Sequence, residues 1–358
     1  MSRFVQLHIL TSYPPSNLNR DDLGRPKTAR FGGTDRLRIS SQSLKRAWRT
    51  SDLFQEALNE NMGTRTKRIG IEIKEKLMEK GIEEKKAREW AKIMAETFGK
   101  LKKVKEKKPD EELEIEQLAH IGPEEWKAID DLISVLASEN RAPEKEELKL
   151  LRNNVKAADI AFFGRMLASQ PSYKVEAAVQ VSHAITINPA PVEDDYFTAV
   201  DDLNTGEEDS GAAHVGEAAF GSGVFYTYVC INNELLLENL DGDKALAKKA
   251  LKAFVEASAK VGPGGKQNSF ASRAYASYIM AEKGNQQPRS LSVAFLKAVS
   301  SDDILGDGIR SLESQRKKME KVYGACADGH TVMNEQDGTG SLAEISEFIT
   351  GCIDGRKE

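Results

Sequence analysis

The order in which strand and helix patterns follow one another is the strongest constraint on the fold of this chain. A β-rich segment at residues 3–10 precedes a helix that begins after Ser40, a residue suited to cap it. Strand patterns return in AADIAFFGRML, VEAAVQVSHAITINP and SGVFYTYVCIN, and a helix near 244–260 and a strand near 275–280 follow. Helices are predicted near 309–322 and 341–352. The order strand, helix, strand, strand, helix, strand predicts an α+β fold of the ferredoxin-like or RNA-recognition type.

Two segments interrupt this pattern. Residues 51–156 are rich in charge and carry apolar residues at helical spacing, which predicts an inserted helical lobe. Residues 190–221 contain nine carboxylates and several glycines, and they are too long for a hairpin loop. We therefore expect the acidic segment to project from the fold as a functional element or to be disordered.

The segment from residue 20 to residue 49 has nine Lys or Arg residues and three Asp residues, although the whole chain has a net charge of −5. On a helix after Ser40, the apolar Leu44 and Trp48 fall on one side. The opposite side is polar or cationic and consists of Gln42, Lys45, Arg46 and Arg49. Seven of the nine cations are arginines, whose planar guanidinium matches phosphate oxygens. Glycines 24, 32 and 33 would let backbone N–H groups approach the same anion. This segment predicts contact with a nucleic-acid backbone.

Composition excludes several other classes. The first residues lack the apolar run of a signal peptide, and no stretch has the roughly 20 apolar residues of a membrane span. The three cysteines and five histidines are scattered and show no metal-ligand spacing. The string GPGGKQ at 262–267 lacks the spacing of a nucleotide-binding phosphate loop. We expect a cytoplasmic protein without membrane contact, cofactor or metal.

Two further groups of residues are candidates for nucleic-acid contact. Arg165 and Met166 follow a glycine at the end of a predicted strand, where the guanidinium is suited to phosphate and the methionine to an apolar wedge. Tyr196, Phe197 and Thr198 lie within the acidic segment, where exposed aromatic side chains can stack on bases or separate them.

Two further functions remain open for a chain that contacts a nucleic-acid backbone. Asp21 and Asp22 could hold Mg²⁺ for phosphodiester cleavage, which would make the protein a Mg²⁺-dependent ribonuclease. Acids inside an arginine cluster more often position those arginines through ion pairs, and no residue pattern marks a nucleophile. The second alternative is a free-standing protein that binds single strands without ordered assembly.

Several long strings resemble, in order along the chain, the CasC-type backbone subunit of the type I-E CRISPR Cascade surveillance complex. The resemblance spans residues 1 to about 299 and is weakest in the helical insertion. The matching strings are LNRDD at 18–22, FGGTDRLRISSQSLKRAWR at 31–49, GRM at 164–166, SHAIT at 182–186, YFTAVDDL at 196–203, AHVGEAAFGSGVFYTY at 213–228 and GGKQNSFA at 264–271.

The resemblance implies a modified RNA-recognition palm (residues 1–50, 157–189 and 222–358), a helical fingers insertion (51–156) and a thumb hairpin (190–221). It implies a non-catalytic scaffold whose copies stack head to tail along one guide crRNA, contact other Cascade subunits and present the guide for pairing with target DNA. The residues that it assigns to phosphate contact are Arg20, Ser40, Gln42, Lys45, Arg46, Arg49 and Arg165. It assigns Met166 and Phe197 as wedges between bases, with Tyr196 and Thr198 beside them.

Overall fold

The computed structural model describes residues 1–103, 110–153, 155–167, 169–199, 202 and 214–354, with the backbone alone for His214. The chain forms two compact units. Unit 1 consists of Met1–Phe54, Gln180–Ile231 and Leu251–Glu358, and unit 2 consists of Gln55–Val179 and Asn232–Ala250.

The described residues form eleven strands and eleven α-helices. The strands are β1 (Phe4–Ser16), β2 (Thr28–Phe31), β3 (Thr34–Ile39), β4 (Thr64–Thr66), β5 (Ala119–Ile121), β6 (Val179–Val181), β7 (Ala184–Thr186), β8 (Glu193–Ala199), β9 (His214–Asn232), β10 (Ala276–Gly284) and β11 (Gly329–Asn334). The helices are α1 (Ser41–Arg49), α2 (Asp52–Leu58), α3 (Ile69–Glu79), α4 (Glu84–Ala95), α5 (Pro123–Glu139), α6 (Ala158–Phe163), α7 (Asn233–Asn239), α8 (Lys244–Lys260), α9 (Gln267–Phe270), α10 (Ile304–Tyr323) and α11 (Leu342–Thr350).

The main sheet has the strand order β11-β10-β1-β9-β7-β3-β2, and β8 extends from it as a partner of β9. Strand β1 pairs with β10 in antiparallel register from Phe4 opposite Gly284 to Thr11 opposite Ala276, with a register shift after Leu10. Buried residues occupy both sides of β1, which explains why its apolar and polar residues alternate only imperfectly.

Helix α1 packs on one face of this sheet through Leu44 and Trp48, which are both buried. The Trp48 ring meets Phe254 edge to face, with 5.4 Å between ring centroids. Its Nε1 donates a hydrogen bond of 3.1 Å to the carbonyl oxygen of Val261. A buried indole whose N–H is satisfied fixes the orientation of α1, and therefore of the side chains on its opposite face.

The other face of the sheet is covered by α10 and by the segment that contains Leu291 and Phe295. Beneath this layer, His8 contacts the Tyr226 hydroxyl at 2.9 Å and the Glu282 carboxylate at 3.1 Å. The backbone and side chain of Arg289 complete this buried polar layer. Because α10 and the segment with Phe295 cover it, this face of the sheet is not the open platform on which a standard RNA-recognition motif stacks bases.

Unit 2 is built around helices α3, α4 and α5 and the short β4-β5 pair. Its apolar core includes Ile73, Trp90, Met94, Leu113 and Ile133. Gly70 lies so close to its neighbours that a Cβ there would be 2.4 Å from the carbonyl oxygen of Leu113. The helical periodicity of the charge-rich segment thus corresponds to amphipathic helices whose apolar sides form this core.

Most of the predicted elements are confirmed, namely β1, α1, β9, α8, β10, α10 and α11. The predicted strand AADIAFFGRML (157–167) is wrong, because residues 158–163 form α6. A short, almost wholly apolar run fits a buried helix as well as a buried strand. Strands β2, β3, β4, β5 and β11 were not predicted. Every helix in the described ranges is too short or too polar to cross a lipid bilayer.

Candidate nucleic-acid interface

Helix α1 begins as the sequence predicts. Ser40 is the N-cap, and its side-chain oxygen accepts a hydrogen bond of 3.3 Å from the backbone N–H of Ser43. No acidic residue occupies the first turn, and Arg46 and Arg49 lie in the last turn, where cations are favoured by the helix dipole. Because the opposite face is held in the core, the polar face of α1 points away from the sheet. We call its side chains Gln42, Lys45, Arg46 and Arg49 the α1 cationic face.

Two members of the α1 cationic face, Lys45 and Arg46, keep charges that the rest of the described chain does not neutralise. Gln42 and Arg46 are exposed, and Lys45 is partly exposed. Lys45 and Arg46 make no ion pair with any residue that the structure describes. Partial burial lowers the pKa of Lys45 from its usual value. A cation that has already lost part of its hydration loses less water when it binds an anion, so this face is suited to phosphate.

Arg20 lies at the entrance to a tight loop in unit 1 and is exposed. The loop is organised by Asp21, whose Oδ1 accepts hydrogen bonds of 3.0 Å from the N–H of Leu23 and 2.9 Å from the N–H of Arg25. An Asp side chain that binds backbone N–H groups two and four residues ahead stabilises a turn. Asp21 therefore has a structural task. No group of three metal-ligating side chains occurs among the described residues.

Strands β2 and β3 form a hairpin that sequence reasoning missed. Gly32 and Gly33 turn the chain with φ angles of +59° and +79°. A Cβ at Gly32 would lie 1.5 Å from the carbonyl oxygen of Leu296, so only glycine fits there. These glycines thus serve the turn and the packing of the hairpin. The sequence signal for this hairpin was the pair Gly32 and Gly33 between two runs that contain β-branched or aromatic residues.

The basic segment is less free than its composition suggests. The side chain of Arg36 is buried, and it donates hydrogen bonds to the carbonyl oxygens of Thr186 at 2.8 Å and Phe295 at 3.0 Å. Arg38 Nη1 lies 2.8 Å from Nδ1 of His183, which immediately precedes the neighbouring strand β7. Burial, followed by the charges of Arg38 and Lys27, lowers the pKa of His183. A neutral imidazole can accept the guanidinium N–H, so Arg38 is oriented by the sheet.

The β8-β9 ribbon carries the aromatic candidates. Tyr196 is 68% exposed and Phe197 is 44% exposed, and Thr198 follows them on the fully exposed strand β8. Phe197 pairs with Gly216 on β9, and a Cβ at that glycine would lie 2.3 Å from Cζ of Phe197. The ring therefore lies across a position without a side chain. The expected thumb includes residues 200, 201 and 203–213, which lie outside the described residues.

An ion pair joins this ribbon to the basic loop. Arg25 Nη1 lies 2.8 Å from Oδ1 of Asp194, and both side chains are partly exposed. One carboxylate of the acidic segment thus has a cationic partner in its own chain. Sequence reasoning did not pair these residues, because they are 169 positions apart.

The structure corrects the expectation that Arg165 contacts phosphate. Its side chain is 0% exposed and lies in unit 2. The guanidinium binds the Glu125 carboxylate and the carbonyl oxygens of Arg152 and Tyr173. These partners use the donors of Arg165 inside the fold, so none is directed to a ligand. The next residue, Met166, is 79% exposed and lines a surface pocket with Leu118, which fits the apolar tip that the sequence predicts.

The comparisons with known proteins agree with one another. The family model described as CT1975-like protein (Cas_CT1975) matches residues 5–350. A chain of a solved structure described as "CRISPR RNA-guided surveillance complex, pre-nicking" is 31% identical, with a TM-score of 0.83, and the match covers 98% of this chain and 100% of that one. A chain of a second structure, described as "CRISPR RNA-guided surveillance complex", is 25% identical, with a TM-score of 0.62, over 98% of this chain and 99% of that one.

The search of curated proteins found no significant match. The family match nevertheless extends over almost the whole chain, and the more similar structure shares its mixed α and β architecture from end to end. This chain therefore belongs to the CT1975-like protein family of Cas proteins.

Proposed function

We propose that this chain is a crRNA-binding backbone subunit of a Cascade-type surveillance complex, of the CasC kind found in type I-E systems. The observation that carries the proposal is the α1 cationic face, where Lys45 and Arg46 have no anionic partner among the described residues. The descriptions of the two matching structures, which name RNA-guided surveillance complexes, support the same function.

The α1 cationic face would bind the guide through its phosphates. Arg46 and Arg49 offer planar donors, Lys45 a point charge and the exposed Gln42 a polar group near the start of the helix. Ser40 is buried and caps the helix, so its role is to fix α1. The exposed Arg20 extends the cationic surface in unit 1. None of these contacts depends on base identity, so any guide sequence would be accepted.

The β8-β9 ribbon would act as a thumb that separates bases. Tyr196 and Phe197 offer exposed rings on a strand, and Thr198 adds a hydroxyl beside them. Insertion of Phe197 beside a base would unstack it, because aromatic rings compete for the π-face of a neighbouring base. Met166 would be the second apolar wedge. The segments of RNA between displaced bases would then stay available for pairing with target DNA.

Several copies would stack head to tail on one crRNA, alongside other subunits of the complex. A heterologous contact that does not close generates a helical filament, whose length the RNA can set. The order β10-β1-β9-β7 within the sheet is the order of a ferredoxin-like core, which supports a modified RNA-recognition palm. The chain would act as a scaffold in the cytoplasm and would catalyse no reaction.

The proposal is tested by removing the two unpaired cations of α1. In the Lys45→Gln, Arg46→Gln variant, we expect weaker binding of RNAs of unrelated sequence and a salt-dependence slope, log K against log salt, that is smaller by about 1.4 for single strands. The matched control replaces two exposed lysines of α8, Lys249 and Lys252, with glutamine. Fluorescence anisotropy across a salt series measures the RNA affinity and the salt-dependence slope of both variants. Equal slopes for the two variants would rule out phosphate contact by α1.

A further inference from the structure

Helix α10 presents a second row of cations in unit 1. Its residues Arg310, Ser314, Lys317 and Lys321 recur at spacings of four, three and four, so they follow one side of the helix. Lys318 lies beside them, and these five residues with Glu313 line one shallow groove. We call Lys317, Lys318 and Lys321, which are all exposed, the α10 lysine row.

The charges of α10 are neutralised at its beginning and free toward its end. Arg310 is held by Asp303 at 3.1 Å and Asp307 at 2.5 Å. Arg316 pairs with Glu320 at 2.7 Å. The three members of the α10 lysine row make no ion pair with any described residue. The second half of α10 is therefore a local positive surface on a chain whose net charge is −5.

The acidic residue beside the row is also occupied. Glu313 lines the same groove, and its Oε1 accepts a hydrogen bond of 3.1 Å from the Tyr278 hydroxyl. This bond directs the carboxylate toward the sheet. Glu313 is thus engaged by its own fold, while the lysines remain available for an anion from outside.

The geometry of the row favours a nucleic-acid duplex. Lys317 and Lys321 are one helical turn apart, or about 6 Å along the helix axis, which is the scale of the spacing between phosphates along a strand. The residues that line the groove include no aromatic side chain, whereas proteins that bind single strands stack bases on aromatic rings. Lysine is depleted at protein–protein interfaces, so a groove lined by lysines and by no apolar residue is poorly suited to a protein partner, although the exposed Val322 and Tyr323 follow at the end of the helix.

We propose that the α10 lysine row binds the phosphate backbone of double-stranded nucleic acid, independently of base sequence and of the α1 cationic face. The contact would use three ammonium groups as point charges and would need no pairing with a guide. It would hold a duplex near the complex before or during recognition, in addition to the guide-binding role proposed above.

The test uses the full chain with Lys317, Lys318 and Lys321 all replaced by glutamine. The matched control replaces three exposed lysines of unit 2, namely Lys85, Lys127 and Lys145, and so has the same net charge. Both sets of substitutions are also made in the Lys45→Gln, Arg46→Gln background. Any duplex binding by the α1 cationic face is then removed before the effect of the α10 lysine row is measured. The probes are a duplex DNA of unrelated sequence, single-stranded RNA of the same length, and polyglutamate, each followed by anisotropy across a salt series.

We expect the α10 variant to bind duplex DNA more weakly and to lose about 3 from the magnitude of the salt slope, because each lost phosphate contact removes about 0.9. The control should keep its slope, and RNA binding through α1 should be unchanged in the α10 variant. A duplex slope equal to that of the control would overturn the proposal. Loss of polyglutamate binding without loss of duplex binding would overturn it in favour of an acidic protein.

These outcomes are separable from the test of guide binding. If α1 does not bind RNA, the Lys45→Gln, Arg46→Gln background will not change RNA affinity, yet the effect of the α10 variant on duplex DNA can still be measured. The lysines are exposed, so thermal unfolding should be similar in the variant and the parent.

Discussion

Nη1 of Arg165 lies 2.8 Å from Oε1 and 2.9 Å from Oε2 of Glu125, and neither side chain is exposed to solvent. Glu125 also accepts the backbone N–H groups of Gly122 at 2.9 Å and Arg152 at 2.8 Å. The pair therefore joins the start of α5 to two loops of unit 2. In the GRM string, Gly164 and Arg165 therefore have structural roles inside unit 2, and only Met166 is exposed to solvent.

Removal of Arg165 tests this assignment. Arg165→Met should lower the free energy of unfolding by about 3 to 5 kcal/mol, because it leaves the Glu125 carboxylate buried without its partner. Urea unfolding gives the value. Lys174→Met is the control, since the Lys174 pair with Glu176 is exposed and its loss should cost no more than about 1 kcal/mol. A stable Arg165→Met protein with weakened RNA binding would instead favour phosphate contact by Arg165.

The buried His8 predicts a pH dependence of stability. Burial lowers the pKa of His8, which stays neutral beside Glu282 while Arg289 supplies the opposite charge for that carboxylate. The unfolded chain, in which histidine has a pKa of about 6.5, then binds more protons than the fold, so stability falls as pH drops below that value. Between pH 7 and pH 5.5 we expect a loss of about 1 kcal/mol.

A second transition should follow at lower pH. Although burial opposes it, hydrogen bonds from His8 and Arg289 lower the pKa of Glu282 to about 2. A depressed carboxyl pKa contributes stability above the unfolded value, and this contribution is lost as pH falls toward 2. Urea unfolding of His8→Gln should show a flatter profile between pH 7 and pH 5.5, whereas the control His330→Gln, which changes an exposed histidine, should not. An unchanged profile for His8→Gln would show that folding does not shift the pKa of His8, which would contradict its burial in the neutral form.

The wedge role of Phe197 predicts a change in RNA structure without a change in fold. Phe197→Ala removes the ring that lies across Gly216, and bases of the bound RNA should lose their periodic pattern of chemical reactivity. Val215→Ala is the control, because Val215 is also an exposed apolar residue of the same ribbon. Met166→Ala applies the same test of RNA reactivity to the wedge candidate in unit 2. If the reactivity of the RNA keeps its period in both Phe197→Ala and Met166→Ala, then neither Phe197 nor Met166 displaces a base.

Asp21 predicts the outcome for the ribonuclease alternative. Because its Oδ1 accepts two backbone hydrogen bonds, Asp21→Asn should preserve the loop and Asp21→Ala should loosen it. We expect no cleavage of labelled complementary RNA by the wild-type complex with Mg²⁺. Cleavage that Asp21→Asn or Asp22→Asn abolishes would contradict the scaffold assignment, since those variants remove a metal ligand but retain a hydrogen-bond acceptor.

Local signals explain which parts of the fold the sequence predicts. Helix α1 combines an N-capping serine with an apolar face and a cationic face, so its limits and orientation follow from neighbouring residues. The segment 158–163 offers only an apolar run, and tertiary packing makes it a helix. The β2-β3 hairpin contains polar residues and a buried arginine, and its pairing depends on contacts with distant segments.

The candidate site also combines features set by neighbouring residues with features set by distant ones. The opposite faces of α1 can be derived from spacing. Met166, Tyr196 and Phe197 are exposed, and their use beside bases stays a prediction. The burial of Arg36 and Arg165 cannot be derived from spacing, because the composition of a segment does not show which distant residues will bind its cations. Carbonyl oxygens from distant segments satisfy Arg36, and a carboxylate 40 residues away satisfies Arg165. Long-range contacts therefore decide which arginines are available to RNA.

The scaffold proposal is tested most directly by the mass of complexes formed on RNAs of increasing length. Native mass spectrometry should show a mass that rises in discrete steps of one chain as the RNA lengthens, with the RNA intact. The Lys45→Gln, Arg46→Gln variant should show fewer steps at equal protein concentration. A single copy on every RNA would favour a free-standing single-strand binder, and shortened RNA would favour a nuclease, so either result would contradict the proposal.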